Sequence, residues 1–180
     1  MLASGAPHFA VDGIAMALVG APVPAQKMTT LNIYFSADNG VLHTDDQVLV
    51  LPGLARSEFD QGLGRQMTVM NTAPDFVMYD AESLVLWGQR FGGGVRFFKD
   101  VVHGVTLTLE QSRVAALGYD ATENDLLAEK KILTRLLLKN LGFPPSSTSL
   151  GADVFEFPWG GVVSRADLKS TWCGIEVWYK

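Results

Sequence analysis

A single cysteine in 180 residues, Cys173, leaves no partner for an intramolecular disulfide and no cysteine-rich metal cluster. That scarcity points to the cytoplasm, with the periplasm and secretion left open. Histidines number three, His8, His43 and His103, which restricts the bases and metal ligands on offer. Charged residues make up 18% of the chain. No apolar run approaches the roughly 20 residues that a membrane helix needs, so no membrane partner is expected. The strings that carry well-understood chemistry are missing as well. There is no Gly-x-Ser-x-Gly elbow to present a nucleophile. Gly92-Gly93-Gly94 runs into Val95-Arg96-Phe97 and not into the Gly-Lys-Ser/Thr of a phosphate loop. Gly62-Leu63-Gly64 has neither the third glycine nor the βαβ setting of a dinucleotide fingerprint. No catalytic residue, metal site or cofactor is therefore expected, and the enzyme question leans towards no.

What is present describes a globular chain. Hydrophobic residues account for 48%, and the length suits one core and one domain over residues 1–180. The formal net charge is -5, and it is unevenly placed. Residues 1–90 hold nine acidic and four basic side chains, whereas residues 91–180 hold ten of each. An acidic half disfavours nucleic acid and is compatible with a basic protein partner. Arg90 to Phe97 does overlay part of the RNA-recognition octamer through Arg90, Gly93, Val95 and Phe97. However, Gly92 and Gly94 stand where the base-stacking aromatics belong, so no nucleic-acid partner is expected.

One long helix is nearly dictated. Thr122 and Asp125 form a capping box. Leu126, Leu127, Ile132, Leu133, Leu136, Leu137 and Leu141 then recur at helical spacing. Acidic residues fall early and basic residues late, as the helix dipole favours. Gly142 and Pro144-Pro145 end the helix. Residues 123–141 are thus expected as an amphipathic helix lying on an apolar surface.

Around it the sequence reads as short strands. Phe9–Val11 and Ile14–Leu18 alternate like a small hairpin, with an alanine-rich helix as the competitor. Residues 1–27 stand as a hairpin of the fold or as an N-terminal appendage. Thr29–Ser36 alternates cleanly and leads to Asn39-Gly40, a strong hairpin signal. The return strand is Val41–Thr44 or Gln47–Leu51. Residues 54–66 read as a polar loop with a helical turn. Met67–Met70, Phe76–Tyr79 and Leu84–Trp87 are short apolar runs. Val95–Val102 and Val105–Leu109 follow the triple glycine, and Glu110–Leu117 makes two helical turns. After the long helix, Ser146–Ser149 is a linker, and two strands are expected, Val154–Trp159 and one ending in Ile175, Val177 and Tyr179. The expected class is α+β: an antiparallel sheet of several short strands with the helix across one face.

Two places are candidates for contact with a partner. If Ile175, Val177 and Tyr179 face the helix, Glu176 and Trp178 point the other way. An outward tryptophan is a common interface anchor, and the competing reading is that a second layer such as the N-terminal hairpin covers that face and makes Trp178 core. Asp45 and Asp46 follow His43 in a turn, where a weak cation site and a polar turn compete. The expected function is a non-enzymatic protein-binding module, in the manner of an immunity or inhibitor protein that neutralises an effector or toxin. The alternative is a small-ligand or enzymatic domain with its pocket between the sheet and loop 54–66.

Overall fold

The computed structural model of the chain describes residues 30–180. The hairpin or helix expected within residues 1–27 lies outside the described residues. The centre of the fold is a nine-stranded, almost wholly antiparallel sheet. Its first half is the meander β5 (Thr68–Ala73), β6 (Phe76–Leu86), β7 (Gln89–Phe98) and β8 (Val101–Leu109). The second is β9 (Ser147–Thr148), β10 (Ala152–Phe157), β11 (Gly160–Asp167) and β12 (Trp172–Tyr179). The two halves join where β12 pairs antiparallel with β8, Ile175 opposite Leu107 and Trp178 opposite Gly104. β1 (Leu31–Asn32) adds a parallel strand against the far end of β6.

Several strands are longer than the sequence pattern suggests, because polar residues sit inside them. Phe76–Tyr79 and Leu84–Trp87 belong to the single eleven-residue strand β6, which carries a register shift between Ala81 and Leu84. The three glycines are strand residues of β7 and make no turn. The turn before β7 is Trp87-Gly88, both with positive φ, and the turn after it is Lys99-Asp100, again both positive. These are the dihedral signs of the hairpin turn whose twist matches its strands. Lys99-Asp100 therefore divides what reads in sequence as one run, Val95–Val102. Four strands follow the helix where two were expected. β9 occupies the Ser146–Ser149 stretch, and Val162–Val163 lies within β11. The turn between β10 and β11 is Pro158-Trp159, so Gly160-Gly161 starts a strand.

Among the described residues, one face of this sheet carries every other layer, and the opposite face is uncovered in that sense. Leu31–Ser36 serves two sheets: β1 pairs with β6, while β2 (Tyr34–Ser36) starts a three-stranded meander with β3 (Val41–His43) and β4 (Val48–Val50). Both candidate return strands are therefore present. Trp159 and Tyr179 clamp the Asn39-Gly40 turn. The Trp159 indole N–H donates to the Ala37 carbonyl at 2.8 Å, and the Tyr179 hydroxyl donates to the Gly40 carbonyl at 3.0 Å. Gly40 lies directly under the Trp159 ring, where a Cβ would come within 2.6 Å of it. Residues 54–66 contain the short helix α1 (Arg56–Gln61), whose Phe59 is buried against Tyr79 and Phe97.

The second short helix, α2 (Arg113–Leu117), precedes the long helix α3 (Glu123–Leu141), whose reciprocal Thr122–Asp125 capping box and left-handed Gly142 cap are both present. α3 lies over β11 and β12. Its buried stripe is Leu126, Glu129, Lys130, Leu133 and Leu137. Ile132, expected on the apolar face, is instead 53% exposed. The reason is spacing: 126, 130, 133 and 137 stack within one helical face, and 132 lies off it. Lys130 is tolerated there because its ammonium has three acceptors, the Ser149 and Leu150 carbonyls and Asp153 Oδ1, at 2.7, 3.2 and 3.0 Å. Thr134 donates to the other Asp153 oxygen at 2.6 Å and meets Ser164 at 2.7 Å. No helix among the described residues is long and apolar enough to cross a membrane.

Leu137 is fully buried beneath α3, so Leu137→Ala should cost about 2–5 kcal/mol in denaturant unfolding. Ile132→Ala, on the exposed side, should change stability by less than about 0.5 kcal/mol.

Candidate functional site

The registers of β7, β8, β12, β11 and β10 fix what stands on the uncovered face. One cross-strand row reads Arg96, Gly104, Trp178, Gly161 and Glu156. The next reads Gly94, Thr106, Glu176, Val163 and Val154, and the one beyond it Gly92, Thr108, Gly174, Arg165 and Ala152. Ile175, Val177 and Tyr179 are buried on the helix side, so Glu176 and Trp178 do point the other way.

Glycines let two tryptophans lie flat on this face. A Cβ on Gly161 would stand 2.0 Å from the Trp178 ring, and one on Gly174 would stand 2.5 Å from the Trp172 ring. An aromatic ring laid over a glycine shields backbone that no side chain covers. Trp172 is anchored by its indole N–H, which donates to the Thr108 hydroxyl at 3.2 Å. The indole N–H of Trp178 has no acceptor among the described residues, and the ring is only partly buried.

Beside Trp178, Glu176 stands between two arginines. Its Oε1 lies 3.7 Å from Arg96 Nη1, and its Oε2 lies 3.1 Å from Arg165 Nε. Arg96, His103, Val154, Val163, Arg165, Glu176 and Trp178 together line an open groove of about 500 Å³. His103 is there because of an irregularity: β7 and β8 slip register between Arg96 and Phe97, which leaves His103 as the extra residue. The sequence offers no sign of that bulge, nor of the Arg96–Glu176–Arg165 arrangement, whose members come from three strands.

Asp45 and Asp46 lie elsewhere. They are exposed in the turn between β3 and β4, in the layer on the covered side of the sheet. The turn is held by Thr44, whose hydroxyl accepts from the Asp46 and Gln47 N–H groups at 3.3 and 3.2 Å. Asp45 instead sits beside Tyr34 and pushes that phenol's pKa up. His43 is occupied as well, with Nε2 3.2 Å from Ser36 Oγ and Nδ1 2.9 Å from the Thr44 carbonyl. Among the described residues no three His, Cys, Asp or Glu side chains gather as a metal-holding group.

The space between the sheet and the segment after α1 is a cavity of about 20 Å³ lined by Ile33, Leu42, Leu63, Met67, Leu84, Val95 and other apolar residues. That is room for about one water. Outside α1, Arg56 donates to the Tyr79 hydroxyl at 3.1 Å and Tyr79 donates to Asp60, around a surface recess of about 330 Å³. Burial raises the Tyr79 pKa, with the Asp60 hydrogen bond adding to the effect.

Cys173 is fully buried, its Sγ facing the Leu126 carbonyl at 3.6 Å. Burial, with the Glu129 carboxyl adding to it, pushes the thiol up to about 12, so no reactive thiolate forms near neutrality. Glu129 is itself 3% exposed, and neither oxygen reaches hydrogen-bonding geometry. Burial raises its pKa against the opposing pull of the Ser112 hydroxyl and the Val114 N–H.

No family model, curated protein or solved structure matches this chain.

A carboxyl whose folded pKa is raised favours folding below the ordinary carboxylate range and loses that contribution as pH climbs through the raised value. Glu129→Gln should therefore flatten the fall in stability on the alkaline side. Thermal unfolding at pH 8 should show it more stable than the parent by roughly 1 kcal/mol, with a smaller difference at pH 5. On the open face, Gly161→Ala should lift Trp178 off the sheet, because the ring and not the backbone meets the new methyl. The expected signature is red-shifted tryptophan emission with little loss of melting temperature.

Proposed function

We propose that this chain is a non-enzymatic protein-binding module that docks its partner on the uncovered face of the sheet. Within that class we propose that it neutralises an effector or toxin. The observation that carries the docking surface is Trp178. One face of its ring rests on Gly161, its indole N–H lacks an acceptor among the described residues, and it borders an open groove of about 500 Å³. A large amphipathic ring held rigid before binding loses little entropy when a partner covers it, which is why tryptophan recurs as an interface anchor. The Arg96–Glu176–Arg165 arrangement supplies the polar edge that fixes register. For the ligand-pocket alternative, the cavity between the sheet and residues 54–66 is about 20 Å³, below the roughly 300 Å³ that a drug-sized ligand needs. That reading therefore rests on the open recess of about 330 Å³ beside Arg56, Asp60 and Asp100.

Trp178 and the Asp45-Asp46 turn stand on opposite sides of the main sheet. An interface of ordinary size covers about 800 Å² on each partner, so one docked protein does not reach both. Native capture from the source cells should therefore recover one stoichiometric partner with the parent chain and with Asp45→Ala, and lose it with Trp178→Ala. The melting temperature of Trp178→Ala should stay within a few degrees of the parent. A collapse in stability would make Trp178 a structural support, and unchanged capture would remove it from the interface. For the narrower function, the recovered partner should carry a toxic or enzymatic activity that the purified chain suppresses at equimolar ratio.

A further inference from the structure

We infer that the partner segment seated on the open face is acidic: a carboxylate of the partner is gripped by Arg165 while a neighbouring apolar side chain lies against Trp178. This rests on the docking function proposed above and specifies the chemistry of its occupant.

Three observations converge. Arg165 is the accessible charge of the groove, its side chain 49% exposed against 24% for Arg96 and 20% for Glu176. Its approach to Glu176 is through Nε and its charge also acts on Asp167, while neither terminal nitrogen donates a hydrogen bond among the described residues. A guanidinium with both terminal nitrogens open presents the planar fork that binds a carboxylate through two parallel hydrogen bonds.

The carboxylates around it are already committed or too distant. Glu176 is shared between Arg96 and Arg165. Asp167, two residues along β11, accepts from the Ser170 hydroxyl at 2.7 Å and the Lys169 N–H at 3.0 Å. Glu156 and Asp80 are not among the residues lining the groove; Asp80 stands opposite Gly94 on β6, the strand next to Arg96, and has an interaction of its own. Among the residues lining the groove, two guanidiniums face one carboxylate. The excess is positive, on a chain whose overall charge is negative. The Asp45-Asp46 turn, which suggested a basic partner, belongs to the other side of the molecule.

The third observation is spacing. Gly161, Val163 and Arg165 alternate along the same face of β11, with Trp178 over the first and Val154 beside the second. Steps of two residues on a strand are roughly 6.6 Å, and Arg165 leans towards Glu176. An extended partner segment would therefore satisfy both ends with an acidic residue two to four positions from an apolar one.

The test is an array of nonapeptides, each carrying one Leu, Phe or Trp with a Glu two, three or four positions away. Every peptide is paired with a Gln twin and a Lys twin, and the array is probed with the full chain. Affinities of the best binders are then measured by fluorescence anisotropy for the parent, Arg165→Met, Arg165→Lys and Trp178→Ala. The expected result is binding to Glu peptides about tenfold tighter than to their Gln twins, a difference of about 1.4 kcal/mol. Arg165→Met should abolish that preference and Arg165→Lys should keep part of it, whereas Trp178→Ala should weaken Glu and Gln peptides alike. Arg165→Lys retains a cation beside Glu176, so the comparison stands even if the methionine variant folds poorly. Equal binding of Gln or Lys twins by the parent would overturn the acidic occupant while leaving the docking face in place. Absence of any peptide binding that depends on Trp178 would overturn both. Concentration-dependent dimerisation lost in Trp178→Ala would identify a second copy as the occupant and overturn the inference as well.

Discussion

Among the described residues the helices and the second meander all lie on one side of the sheet, so the residues of its other side must themselves make that side tolerable to water. Here that constraint is met by laying indole rings over glycines and setting a carboxylate between two arginines. The glycines take up no space above the backbone, so Trp172 and Trp178 drop onto the sheet and shield it. The Arg165 stem extends over the same surface while its charged head stays accessible to water. Val163 is 2% exposed although it points away from the core, a measure of how completely its neighbours roof it. The groove is what remains between these roofs, so the feature that makes the face soluble also makes it a recognition surface.

The covered side depends on a different economy. Lys130 and Asp153 are both withdrawn from water, which costs several kcal/mol per ion unless the geometry is complete. It is nearly complete here: three acceptors surround the ammonium, and the second carboxylate oxygen takes the Thr134 hydroxyl. The network ties α3 to the β9–β10 connection and to β11 at chosen points, which purely apolar contact would leave free to slide. Glu129, one residue away, lacks such partners. The contrast within a single helical turn shows that burial alone does not decide whether a charge is tolerated.

Much of this fold was legible in the sequence where one signal acted locally. The α3 boundaries follow from Thr122, Asp125 and Gly142, each of which acts within its own turn. The two faces of β12 follow from alternation alone, and with them the outward direction of Glu176 and Trp178. Illegible were the features set by partners far along the chain. Gly92-Gly93-Gly94 reads as a turn because its strand role depends on β6 and β8 pairing on either side. Lys99-Asp100 does not look like a turn because neither residue is glycine. Glu129 and Lys130 read as solvent-facing helix charges, since nothing local announces that Asp153 waits beneath. Within the stretch that alternates as one strand, Leu31–Asn32 and Tyr34–Ser36 are both extended, but their division at Ile33 between two sheets is a tertiary decision. The groove needed Arg96, Arg165 and Glu176 from three strands, a meeting that only topology supplies.

The pairing of β12 with β8 is the single joint between the two sequential halves of the sheet, and the helical excursion of residues 110–146 separates them in the chain. Each half contains neighbouring hairpins that need little loop closure, whereas the joint brings together residues 68 to 74 positions apart. Arg96 belongs to one half and Glu176, Trp178 and Arg165 to the other, so the groove exists only while the joint is closed. Anything bound across it favours the closed sheet over every open form by mass action. Recognition and cohesion are thereby the same equilibrium: a molecule that occupies this groove is also a rivet between the two halves of the protein.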